Sequence, residues 1–200
     1  MQAIIHWILS LMIVTSMQAG LTDATSVPPQ QEVQEFMNAI TSAQVKQLDR
    51  YASNSYVNFV THLKGDKETV KRMRKALLKD LPYELRGTEE RDGVAVVRVD
   101  IRQCDYSKVL KKYKKESYDY IVDHLYDEDI VDKDKLNDIC LDMYVSQIAK
   151  VAKAGKKKDR SLYLVLKDNG FNGWTLQVDD DTMKKILGDL AIPEGGLNNE

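Results

Sequence analysis

Past residue 82 the hydrophobic period of this chain changes from 3.6 to 2, and that change limits the fold more than any other feature. Val97, Val99 and Ile101 alternate with Arg98, Asp100 and Arg102, and Asp92-Gly93 just upstream is a favoured two-residue hairpin turn. The segment therefore predicts an antiparallel hairpin with one buried face. A second alternation follows near the C-terminus, with Leu162, Leu164 and Leu166 facing one way and Trp174, Leu176 and Val178 doing so on a partner strand. Two strands, 161–167 and 173–179, are expected there, with Asn169 and Gly170 supplying the positive φ that a tight turn needs.

The stretch between these strands also invites a metal reading, because Asp168, Asn172 and Asp179 are spaced somewhat like calcium-loop ligands. Such a loop wants Asp or Asn at its third place, a bidentate Glu at its twelfth and helices on both sides. Here the third place is Gly170, the twelfth is Asp179 and the flanks alternate like strands. A hairpin turn is the expectation, with Asp179–Asp181 opening a last helix over 181–190, where carboxylates satisfy free N–H groups.

Elsewhere the period is helical. Val33, Phe36, Met37, Ile40, Leu48 and Tyr51 form an apolar stripe over residues 31–52, and Thr41 with Gln44 has the spacing of a capping box, which predicts two short helices. Further helices are expected around 55–63 and over 67–80, the latter ended by Pro82. Residues 106–126 place Tyr106, Val109, Leu110, Tyr113, Tyr120, Ile121, His124 and Leu125 on one stripe, and residues 131–152 place Leu136, Cys140, Met143, Ile148 and Val151 on another. The short acidic link between them predicts an antiparallel helical hairpin. Cys104 at its base and Cys140 partway up the returning helix would be separated by about 15 Å, beyond disulfide reach, so two separate thiols are expected.

Composition bounds the function. With 29 basic and 31 acidic residues and a formal net charge of −2, the chain has no overall drive toward nucleic acid. Residues 3–14, AIIHWILSLMIV, match a signal-peptide apolar core in length and fall short of the ~20 residues of a spanning helix. The expected organisation is a signal peptide or retained membrane anchor over 1–20, a flexible linker over 21–30, a single α+β domain over 31–192 and a polar tail over 193–200.

The order of elements and the ending DNGFNGWTLQVDDDTMKKILGDL resemble the nuclear transport factor 2-like superfamily, and more narrowly a group of uncharacterised bacterial cell-envelope lipoproteins of that fold. VQEFMNAITSAQVKQLDRYAS is similar to its first helices, and VRVDIRQCDYSKVLKKY to a strand running into an inserted helical pair. The resemblance implies a curved antiparallel sheet of about four strands packed by N-terminal helices, with the helical hairpin inserted. It departs in one respect: QAG is followed by Leu21, where such lipoproteins carry the cysteine that is lipidated.

Enzymes of the superfamily use an Asp, His or Tyr in the concavity of the sheet, which makes Tyr83, Asp100 and Tyr163 the candidate pocket residues. His62 and His124 are far apart, no Cys or His pair has metal-ligand spacing, and no phosphate loop or nucleophile motif is present, so neither metal nor cofactor is expected. The helical hairpin is electrically polar. Lys108, Lys111, Lys112, Lys114 and Lys115 begin one helix, while Lys150, Lys153, Lys156, Lys157, Lys158 and Arg160 end or follow the other. Asp123, Asp127, Glu128, Asp129, Asp132, Asp134 and Asp138 gather at the far end. One reading is solubility and complementarity to the helix dipoles. Another is that Lys156, Lys157 and Lys158 meet an anionic membrane surface or wall polymer. Three functions follow: an exported, non-catalytic binding domain whose partner is an envelope protein or small ligand; a pocket enzyme of the isomerase or dehydratase type; or a structural, self-associating protein.

Overall fold

The computed structural model describes residues 27–79 and 81–193. The expected signal or anchor over 1–20 lies outside the described residues, as do most of the expected polar tail and the first part of the expected linker. Among the described residues no helix is long and apolar enough to cross a membrane.

The chain is α+β, with a four-stranded antiparallel sheet in the order β1-β2-β3-β4. Helix α1 spans Pro29–Thr41, so it begins inside the stretch expected to be linker, because Pro29 is buried and suits the first helical turn, where no N–H partner is lost. A break leads to α2 (Val45–Leu48) and a 3-10 turn, Asp49–Tyr51. Two helices form as expected, but not through a capping box. Gln44 gives no side-chain cap, Thr41 Oγ1 donates back to the Asn38 carbonyl, and the chain turns at Ala43, which has φ of 50°. Helices α3 (Ser55–His62) and α4 (Lys67–Leu78) follow, capped by Asn54 and Asp66, whose side chains accept from N–H groups of the first turn.

Strands β1 (Tyr83–Arg91) and β2 (Val94–Cys104) are joined by Asp92 and Gly93, both at positive φ as a type I′ turn requires. A bulge between Leu85 and Thr88 interrupts their register. Helices α5 (Val109–Asp123), α6 (Glu128–Val131) and α7 (Lys133–Ala154) form the insertion before β3 (Lys157–Asp168) and β4 (Trp174–Gln177), and α8 (Asp180–Ile186) follows. Because Cys104 pairs with Lys157, α5 must leave and α7 return at the same end of the sheet.

The core lies between one sheet face and the helices. Ala95, Val97, Val99, Ile101, Leu162, Leu164, Leu166 and Leu176 point from the strands toward Phe36, Met37, Ile40, Val57, Met73 and Leu77, all buried. A Leu or Ile side chain wholly buried here contributes roughly 1.5–3 kcal/mol relative to leaving it in water. Asn54 also donates to the Val178 carbonyl, and Ser55 to Asp180, tying α3 to the end of the chain.

Four local expectations need correction. The strand expected over 161–167 starts earlier: Lys157, Lys158 and Arg160 also lie on β3, paired with Cys104, Gln103 and Ile101, because β2 extends far enough to recruit them. In the second turn the positive φ falls on Gly170 and Asn172, not Asn169, whose side-chain oxygen instead accepts from the N–H groups of Phe171 and Gly173. On α5, Ile121 and Leu125 do not join the buried stripe; only Val109 is fully buried, with Leu110 and Tyr113 packed against the core beside it. On α7 the fully buried face is Leu141, Tyr144, Val145 and Ile148, while Leu136, Cys140, Met143 and Val151 are half-buried. This helix is squeezed from two sides, and a single stripe does not describe it.

Candidate functional site

Among the described residues no helix covers the second face of the sheet, and side chains from three strands converge on it. Period-2 alternation sends Glu84 of β1, Arg98, Asp100 and Arg102 of β2, and Asp159, Ser161, Tyr163 and Val165 of β3 to this side. Arg86, two residues after Glu84 and just before the bulge in β1, falls on the same side. Glu84, Arg86, Arg98, Asp100, Arg102, Asp159 and Ser161 border a shallow groove of about 490 Å³.

Asp100 is its hub. The Ser161 hydroxyl donates to it at 2.6 Å, Arg86 Nε at 3.0 Å and Arg98 Nε at 3.1 Å. These bonds, Ser161 foremost, hold the Asp100 carboxyl below the usual carboxylate range, against a smaller opposing effect of burial. Arg86 also pairs with Glu84 at 2.7 Å, and Arg102 with Asp159 at 3.4 Å. Three guanidinium groups thus face three carboxylates, and the groove has no net charge to attract an anion. Its cations are oriented, but they are spoken for.

Of the three candidate pocket residues, the fold brings two to this face. Asp100 is its centre, and Tyr163 lies opposite Arg98 in the β2–β3 register, 61% exposed. Beyond it the surface turns apolar through Val165 and its partner Val96. Tyr83 turns the other way. It pairs with Ile101 on the helix-covered face, its hydroxyl donates to Asn38 of α1 at 2.7 Å, and burial raises its pKa.

The basic candidates are dispersed and partly neutralised. Lys158 Nζ donates to Asp105 at 2.5 Å, and Arg160 pairs with Asp189 at 2.7 Å, while Lys150 pairs with Glu116 of α5. Lys156 is exposed in the short connection after α7, and Lys157 begins β3. The Lys158 and Ser107 bonds hold the Asp105 carboxyl far below its usual range.

The histidines do not converge. His62 Nδ1 lies 2.7 Å from Thr61 Oγ1, and His124 stacks on Tyr120. Among the described residues no group of His, Cys, Asp and Glu is arranged to hold a metal. Cys104 and Cys140 are both free thiols, and burial raises the pKa of Cys140.

Sequence reasoning missed Arg86, although its spacing of two from Glu84 sends both to one side of β1. It also missed a second hollow of about 530 Å³ between α1, the 3-10 turn and β4, beside Trp174. There the Glu32 carboxylate accepts from Arg50 at 2.7 Å and from the Tyr51 hydroxyl at 3.0 Å, and burial raises the Tyr51 pKa. These partners lie 18 and 19 residues apart, and no spacing rule predicts that they meet.

No family model matches the chain, and the search of curated proteins gives no match. Among solved structures, a candidate lipoprotein (ycdA) from Bacillus subtilis is similar at 16% identity, with a TM-score of 0.39, over 85% of this chain. The chain spans 49% of that structure's length.

Proposed function

We propose that this protein is an exported, non-catalytic interaction module of the bacterial cell envelope that presents the uncovered sheet face to a protein partner. The observation that carries the reading is the pairing of exposed Tyr163 with Arg98 on a face that no helix among the described residues covers, next to the apolar strip of Val96 and Val165. Arg and Tyr are enriched at protein interfaces, where each combines a large contact area with directed donors. Arg98 is held in place by Asp100 and by Ser161, so docking would cost it little rotamer freedom. Export rests on the apolar run over 3–14, and the nuclear transport factor 2-like reading on helices stacked against one face of a sheet with a helical pair inserted before β3.

The chemistry of Asp100 argues against the pocket enzyme. A general base works best with a pKa near the operating pH, and here three donors stabilise the charged form and move it the other way. A photo-crosslinking residue at position 163 in the native host is expected to give one discrete protein adduct, and one at exposed Lys71 on α4 none. Equal labelling from both positions would overturn the reading. So would a reproducible small-molecule mass on the native protein that Asp100→Asn removes, and that result would favour the enzyme.

A further inference from the structure

Helix α5 carries an arrangement that a single copy of the chain does not use. Its inner face packs on α7: Tyr113 meets Tyr144 edge-on at 5.3 Å, and Glu116 bonds to Gln147 and Lys150. At 100° per residue Tyr118, Ile121 and Val122 fall on the opposite side. They are 67%, 36% and 47% exposed, and Leu125 just past the helix end is exposed as well. Upstream on the same side stand Lys111 and Lys114, whose alkyl stems can cover apolar surface.

One flank of this stripe is sorted by charge. Lys112 and Lys115 lie on it in the first half of the helix, Asp119 and Asp123 in the second, and all four fall within an arc of about 80°. Among the described residues none of the four makes an ion pair. Their order also opposes the dipole of their own helix, whose N-terminal half favours acids and C-terminal half bases; its first turn has no acidic residue and its last no basic one.

We infer that α5 is a self-association surface whose occupant is α5 of a second copy, packed antiparallel about a two-fold axis near residues 117–118. In an antiparallel helix pair, flanks on the same side face each other. Lys115 then meets Asp119 of the second copy and Lys112 meets its Asp123, since the two pairs are centred within half a residue of each other, at and just after residue 117. Tyr118 lies near the axis and meets its own equivalent, while Ile121 is covered by the stem of the other copy's Lys114. The reversed dipole of the second helix also places its C-terminal end beside these lysines. A parallel pair would instead turn this flank toward the other flank of the second helix and leave its lysines and aspartates without these partners. Such an isologous contact closes on itself and limits growth to a dimer.

The test is cysteine cross-linking of the full chain, with sedimentation of charge variants alongside. Tyr118→Cys is expected to form a disulfide with its own equivalent. Lys112→Cys and Asp123→Cys are expected to cross-link in a mixture of the two variants, and neither alone. Lys112→Glu with Lys115→Glu should weaken the dimer by about tenfold or more, and adding Asp119→Lys with Asp123→Lys should restore it. All these side chains are exposed, so circular dichroism should show every variant folded. Self-linking at 112 and at 123, or a monomer at every concentration, would overturn the inference. A Tyr118→Cys adduct with residues 3–14 of the same chain, or with an unrelated protein alone, would overturn it too.

Discussion

Helices α5 and α7 leave and rejoin the sheet at one end and are similarly rich in charge, yet they are built in opposite ways. Helix α7 fully buries Leu141, Tyr144, Val145 and Ile148, is capped by Asp132, and carries acid at its start and Lys153 in its last turn. Helix α5 fully buries only Val109, has no side-chain cap, and begins with lysines. One is held by the core and by its own dipole. The other is held by its neighbour, and keeps an apolar side exposed. Amphipathic period alone therefore does not say what covers a helix.

The sharpest way to break the comparison is a pair of identical substitutions. Ile148→Ala on α7 removes a fully buried side chain and is expected to cost about 2–5 kcal/mol in chemical denaturation. Ile121→Ala on α5 should cost under about 1 kcal/mol when measured on dilute monomer. Equal costs would mean that α5 is part of the core after all.

The base of the insertion offers the next test. Gly188 has φ of 67°, its carbonyl accepts from the Tyr106 N–H, and a Cβ there would overlap the Cys104 carbonyl oxygen. Gly188→Ala should lower stability by about 2 kcal/mol or more, since neither the φ nor the backbone contact can relax cheaply. An unchanged melting temperature would show that α8 docks there loosely.

Caps should separate the helices by sign. Asp132→Ala removes the acceptor for the Asp134 and Lys135 N–H groups and is expected to cost about 1 kcal/mol. Lys108→Asp puts an acid at the start of α5, where its dipole favours one, and should raise monomer stability by about 0.3–1 kcal/mol. Destabilisation by both variants would refute the claim that α5 starts against its own dipole.

The smallest expected effect is in acid. Asp105, at the foot of α5, has a carboxyl held below its unfolded value by Lys158 and Ser107. It binds fewer protons folded than unfolded, so its contribution is fully present above the unfolded pKa of about 3.9 and is lost as pH falls from there through the folded value. Asp105→Asn should flatten that part of the acid unfolding profile and leave the slope near neutrality unchanged.

Much of the fold was legible without coordinates. Asp92-Gly93, the alternation through Val97, Val99 and Ile101, and the leucines of β3 identify strands and turns because they encode local backbone preference and a two-residue period. The candidate face was legible only in part. Asp100 and Tyr163 follow from alternation, as does Arg86 once β1 is paired with β2, but Tyr83 depends on what α1 offers it.

The chain by itself determined which segments are helix or strand and which strand residues share a side, since those rest on interactions a few residues long. Tertiary structure decided the rest. It placed Lys157 and Lys158 in a strand because β2 was there to pair with them, and it split the apolar residues of α5 into a packed face and an open one because α7 covers only one side. Contacts between segments distant in sequence leave no period to read.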